Sequence, residues 1–360
     1  MKALMAGTGM AAALVAAGLL LVPTSLQHWR IVASAGDPVT LSTARLDQTL
    51  DAERVSSEIE FALAARDGEL ARSFVALANE RSIAIPAERI REIEEFEKGA
   101  ALRALGDFGH GFWKGEREGA AAFSGALAGD LTGFGDLRDL TLEGRKWLEG
   151  GEPDQTVLIL AGAGLVLTAA TVASIGAALP ARQGVSLIKG ARKAKILSPK
   201  LTADMARLSR GALDGQALKT SLAAASRLDL AAMRVASAGL VKPAAMRSLT
   251  ALGQDAGTIY GRTGARGLRQ TLAIADDARD VGRAAKLAGA KGGSTRAILK
   301  VLGRGALVLG ALSLTAIGWL FTLLCWALAV AMLAQRFGWW LGRKLWPRRR
   351  PAMALQTAMP

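Results

Sequence analysis

The residues best suited to chemistry are two sets of aspartates. Asp276-Asp277-Ala278-Arg279-Asp280 has D-D-x-x-D spacing, and Asp136-Leu137-Arg138-Asp139 has D-x-x-D spacing. On a helix, residues three or four apart share one face. Carboxylates so placed can hold Mg²⁺ against a substrate diphosphate. That is the chemistry of a membrane enzyme acting on a lipid or isoprenoid diphosphate, with Asp276, Asp277 and Asp280 as metal candidates. Arg138 and Arg279, inside the same motifs, offer ion pairs that use the carboxylates without metal. Other motifs are weaker. Gly7-Thr8-Gly9-Met10 follows no strand and opens an apolar run, which excludes a dinucleotide turn. Ser186-Leu187-Ile188-Lys189 fits S-x-x-K but lacks the companion motifs. Phosphate-loop, H-E-x-x-H and G-x-S-x-G patterns do not occur. No residue is assigned as catalytic or cofactor-binding, no cofactor is expected, and the balance is against an enzyme.

The elements that must position these residues follow from composition and charge. The chain has 360 residues, 51% of them hydrophobic, with one Cys and two His. One Cys excludes an internal disulfide framework and a Cys-rich metal site. Three stretches contain no Asp, Glu, Lys or Arg: Ala3–Trp29, Gln155–Ala181 and Gly305–Gln335. A bilayer core of about 30 Å needs about 20 helical residues, so each is long enough to cross. The third ends in an aromatic and basic flank of Trp339, Trp340, Trp346, Arg348, Arg349 and Arg350, the composition of a membrane interface. Cys325 lies in this stretch and reads as inert packing. The first reads as a signal-anchor in preference to a cleaved signal peptide. The second is rich in Gly and Ala and reads as a span or a buried helix.

The domain reading is therefore 1–29 anchor or signal peptide, 30–154 acidic, 155–181 span or buried helix, 182–304 basic, 305–335 transmembrane, and 336–360 aromatic and basic tail. The whole chain carries +14, but 30–154 carries −9, 182–304 carries +16 and 336–360 carries +6. Lys and Arg near span ends set orientation. Arg182, Lys189, Arg192, Lys193, Lys195 and Lys200 follow the second stretch, against Arg138, Arg145 and Lys146 before it. Three crossings then put 30–154 outside and 182–304 in the cytoplasm, in a bacterial inner membrane. The basic tail would fall outside, against the rule. If the second stretch does not cross, 182–304 lies outside and the tail inside.

Both extramembrane segments read as helical, so the fold class is all-α. Residues 31–46 read as a polar linker. Asp67-Gly68 breaks two amphipathic helices, Pro86 suits the first turn of a third, and Ser198-Pro199 suits an N-cap and first turn. Gly253 to Gly267 reads as a break. Residues 118–140 are small and read as tightly packed beside the second stretch. Phe108, His110, Phe112 and Trp113, set among glycines, form a candidate binding loop. Tyr260 is the one aromatic of the basic segment, which disfavours nucleic acid as a partner. The partners expected are the bilayer, with anionic headgroups at the basic segment and tail, and a protein. A homo-oligomer is left open.

Three segments carry a resemblance: DGELARSFVALANERSIAIP (67–86), GALAGDLTGFGDLRDL (125–140), and the apolar stretch followed by LPARQGVSLIKGARKAKILS (179–198). Together they resemble a group of uncharacterised proteobacterial envelope proteins, over roughly residues 65–200. The resemblance implies a bacterial envelope location and no activity. The leading functional reading is a non-enzymatic membrane protein that binds protein or lipid. The diphosphate-lipid enzyme is its first alternative, and a pore-forming or toxin-like protein its second.

Overall fold

The computed structural model describes residues 2–96, 98–99, 134–210, 212–226, 239–309 and 312–345. Among them every regular element is helical, and the only β pairing is an isolated Leu213–Val241 bridge. The chain divides into two compact units, Met1–Ala33 with Leu309–Pro360, and Ser34–Val308.

The first unit pairs α1 (Lys2–Ala33) with α13 (Leu312–Leu345). The Trp326 indole N–H donates to the Leu14 carbonyl at 3.0 Å, while the Ser25 hydroxyl donates to the Trp319 carbonyl at 3.3 Å. Higher positions on α1 thus meet lower positions on α13, so the helices run antiparallel. Gly18 allows the approach: a Cβ there would overlap the Trp326 ring. The C-terminal end of α1 and the N-terminal end of α13 lie at the same end of the pair. The outward faces are apolar and uncovered. Val15, Leu19, Leu20, Phe321, Leu324 and Leu328 are all exposed.

The second unit begins with α2 (Pro38–Thr49), α3 (Ala52–Ala64) and α4 (Gly68–Glu80), each capped by the aspartate before it. Asp37, Asp51 and Asp67 accept from the backbone N–H groups of Thr40, Arg54 and Leu70, satisfying donors that a helix start leaves unpaired. Val55, Ile59, Phe74 and Leu77 supply the buried face. Residues 31–46 are therefore not a linker: α1 runs to Ala33, and α2 buries Leu41 and Leu46.

Next come α5 (Phe134–Leu148), α6 (Gln155–Ala173) and α7 (Leu179–Lys193), then α8 (Pro199–Ser209) and α9 (Gly215–Ser226). The unit closes with α10 (Pro243–Ile274), α11 (Ala278–Lys291) and α12 (Thr295–Leu302). Ser198 caps α8 with Pro199 in its first turn, as the sequence predicts. The predicted break at 253–267 reduces to one residue, Gly264, at φ 69°. Gly253 and Gly257 instead let α7 lie against α10. A Cβ on Gly184 of α7 would overlap the Gly253 carbonyl, and one on Gly257 would sit 2.5 Å from the Pro180 carbonyl.

Acidic and basic segments are packed together in this unit. Arg296 reaches Asp67 at 2.6 Å, Arg266 reaches Asp67 at 3.0 Å, and Lys286 reaches Asp37 at 3.0 Å. Lys291 pairs with Glu80. The Ala297 N–H donates to the Ser73 hydroxyl at 2.8 Å. The two segments expected on opposite sides of a membrane thus pack against each other in one unit. Their opposite charges are spent on each other. The stretch between them, α6, has residues 156–164 buried in the same unit.

Candidate functional site

The D-D-x-x-D motif lies at the start of α11. Asp277 is its N-cap and accepts from the Asp280 N–H at 2.9 Å. Asp280 is fully buried. Its Oδ2 accepts from the Arg304 Nε–H at 2.7 Å and from the Asp276 N–H at 3.0 Å, and its Oδ1 lies 3.3 Å from Arg283. Asp276 is held by Lys200 at 2.9 Å and Arg304 at 2.8 Å. Burial works against the Arg304 charge, but its hydrogen bond to Asp280 and the surrounding carboxylates outweigh it and raise its pKa. The three aspartates thus cap a helix and bind a guanidinium that joins α11 to the turn after α12. A divalent cation would have to displace Arg304. No metal-binding group of three or more His, Cys, Asp or Glu residues occurs among the described residues.

The D-x-x-D motif lies at the start of α5, against α6 and α7. Asp136 is fully buried and pairs with Lys189, itself 1% exposed. Asp139 lies 3.1 Å from Lys189 and 2.5 Å from Lys193. Burial alone would raise the Asp139 pKa, but the two ammonium groups bring it below the usual carboxylate range. Gly164 of α6 makes room for the cluster, since a Cβ there would overlap the Asp136 carboxylate. The expected packing of this segment beside the second apolar stretch is seen for α5. The cluster also disposes of the S-x-x-K motif, because Lys189 is committed to carboxylates and Ser186 is buried.

An opening of ≈ 1010 Å³ is lined by Trp147, Glu152, Asp154, Thr156, Arg192 and Arg210, among others. Arg192 is 3.1 Å from Asp154, so its charges are of both signs and partly paired. Among the described residues that line it there is no Ser, Cys, Lys or His.

The aromatic and basic flank sits on α13, which continues to Leu345 instead of ending near 335. Trp339 and Trp340 are exposed, and Phe337 stacks on Trp340 with centroids 5.7 Å apart. Gln335, Arg336, Trp339 and Trp340 line a cleft of ≈ 410 Å³. Cys325 is exposed on the same helix and is not packed in a core. Trp346, Arg348, Arg349 and Arg350 lie outside the described residues, as do Phe108, His110, Phe112 and Trp113.

Among the described residues, three helices are long and apolar enough to cross a membrane: Ala12–Ala33, Gln155–Ala173 and Ile317–Gly342. They differ in what covers them. The most apolar part of α6 is 56% buried within the protein, whereas that of α13 is 0% buried. Comparison with protein-family models, with curated proteins and with solved structures gave no match.

Proposed function

We propose that this is an integral membrane protein whose α1 and α13 cross one bilayer antiparallel and hold the Ser34–Val308 unit at one face. There it acts by binding protein or lipid, not by catalysis. The observation that carries this reading is the uncovered apolar surface of the α1–α13 pair. Contiguous apolar patches of that extent mark a lipid or protein interface. The Trp339 and Trp340 belt and the basic residues beyond it suit lipid.

Two crossings also resolve the charge conflict. Lys2, Arg336, Arg343 and Lys344 then share one end, which the positive-inside rule assigns to the cytoplasm. The helical unit then faces away from the cytoplasm of a bacterial inner membrane. Non-catalytic action is supported by the motif carboxylates: Asp136, Asp139, Asp276 and Asp280 are engaged by Arg or Lys, and Asp277 caps α11. Alkaline phosphatase fused after residue 240 is expected to be active, and fused after residue 355 inactive. The reverse pattern at both positions, or extraction of the intact protein from membranes by alkaline carbonate, refutes the reading.

A further inference from the structure

We propose that Lys189 and Asp136 condense into an intramolecular isopeptide bond that staples α7 to α5, with Asp139 as the proton carrier. Before the bond forms, the three groups are the buried ion cluster described above.

Burial and residue type set this pair apart. Lys189 is 1% exposed and Asp136 0%. No other ion pair among the described residues has both side chains at 1% or less. The buried contacts of Asp67 and Asp280 use Arg296 and Arg304 instead. A guanidinium stays protonated and is no nucleophile. A lysine amine loses its proton readily in a dry site, and once neutral it attacks carbonyl carbon.

The surroundings supply what the reaction needs. Burial disfavours the charged form of both partners, so a proton passes from the Lys189 Nζ to the Asp136 carboxyl. An amine then faces a carboxylic acid, held by three helices. Helices α5 and α7 each pack on α6, where Gly164 lets the Asp136 carboxyl lie against the helix backbone. Reactants held in this way reach effective concentrations far above any in solution. Asp139, three residues on along α5, lies 3.1 Å from the Lys189 Nζ. Burial opposes the Asp139 charge, but Lys193 and Lys189 hold its pKa below the usual carboxylate range, so it stays ionised and serves as a base.

The step balances with no co-reactant. The Nζ lone pair attacks the Asp136 Cγ and forms a C–N bond. Asp139 takes a proton from the nitrogen and passes it to the departing oxygen, the Cγ–O bond breaks, and one water leaves. An ammonium and a carboxylate become an amide N–H and water. Two charges are thereby removed from a dry core, where neutral replacement of an ion pair is often stabilising. The bond also closes a loop between positions 53 residues apart. A disulfide gives that kind of constraint, but a chain with one Cys cannot form one internally.

Mass spectrometry of the full-length protein, purified in detergent, is the test. The wild type is expected to be one water lighter than its sequence, and Lys189→Arg to have its full sequence mass. Trypsin should release residues 118–138 joined to residues 183–192, uncut after Lys189, with fragmentation placing the branch at Asp136. Asp139→Asn should lower the branched fraction by about tenfold or more, whereas Asp139→Glu keeps a carboxylate and should retain the branch. Circular dichroism checks that each variant is helical. Separate wild-type peptides 118–138 and 183–189 overturn the bond, and this result needs no variant to fold. Loss of water without a branch means an imide within α5 and also overturns it. A branch from Lys189 to Asp139, or full branching in folded Asp139→Asn, overturns the roles assigned to the two aspartates.

Discussion

Asp67 shows how much one side chain carries in this protein. It caps α4 through the Leu70 N–H and binds both Arg296 and Arg266. Burial alone would raise its pKa, but the Arg296 and Arg266 bonds prevail and bring it down to about 2. A carboxylate depressed in the folded state contributes stability above its unfolded pKa and loses it as pH falls through the folded value. The unfolding midpoint of the purified protein should therefore drop between about pH 4 and pH 2. In Asp67→Asn that dependence should flatten, because the charge is gone while the cap remains. Asp67→Ala should cost about 3 kcal/mol, since it removes the cap and leaves Arg296 buried without its carboxylate. Lys189 should be costlier still. Lys189→Met removes the buried ammonium that Asp136 and Asp139 share, leaving Asp139 with Lys193, and should lose about 3–5 kcal/mol in urea unfolding. Lys189→Met with Asp136→Leu should recover part of it, as coupled neighbours do. The carboxylate spacing at 136 and 139 was visible in the sequence, but its partners were not. Lys189 and Lys193, four apart on one helix, have the complementary spacing and were the available signal. They lie more than fifty residues from Asp136, and only the fold brings them together.

Local signals survived at the level of helices, and packing signals were misread. Asp67-Gly68 and Ser198-Pro199 mark helix starts because capping is settled by the residues at hand. The glycines of 253–267 suggested a break by the same local logic, yet only Gly264 interrupts the helix. Gly253 and Gly257, four residues apart, share one helix face, which signals close approach of a partner. Two substitutions separate these roles. Gly184→Ala would drive a methyl group into the Gly253 carbonyl, which belongs to backbone and cannot swing aside. It should destabilise by about 3 kcal/mol or prevent folding. Gly289→Ala, inside α11 with nothing within 4 Å of the added carbon, should stabilise by about 0.5–1 kcal/mol. Paired urea titrations of the two variants check both signs.

For the molecule as a whole, the informative quantity was the charge on each segment, and its meaning changed. A net of −9 beside +16 looked like two faces of a membrane. The positive-inside rule counts every Lys and Arg near a span, whatever each one binds. Here Arg283, Lys286, Lys291, Arg296 and Arg304 are matched to Asp280, Asp37, Glu80, Asp67 and Asp276. Three of those pairs, Lys286–Asp37, Lys291–Glu80 and Arg296–Asp67, join segments some two hundred residues apart, so no local pattern announces them. The apolarity of α6 keeps its two readings, because a helix can avoid charge to enter a core as well as to enter lipid, and its most apolar part is 56% buried. Together these points make one prediction. In a Cys325→Ser background, Ser57→Cys on α3 and Gln254→Cys on α10 are both exposed and should react with a membrane-impermeant maleimide from the same side of sealed vesicles. Reaction from opposite sides would require α6 to cross the bilayer. The ion pairs of Asp67 with Arg266 and Arg296 could not then exist, because that crossing would separate the acidic helices from the basic ones.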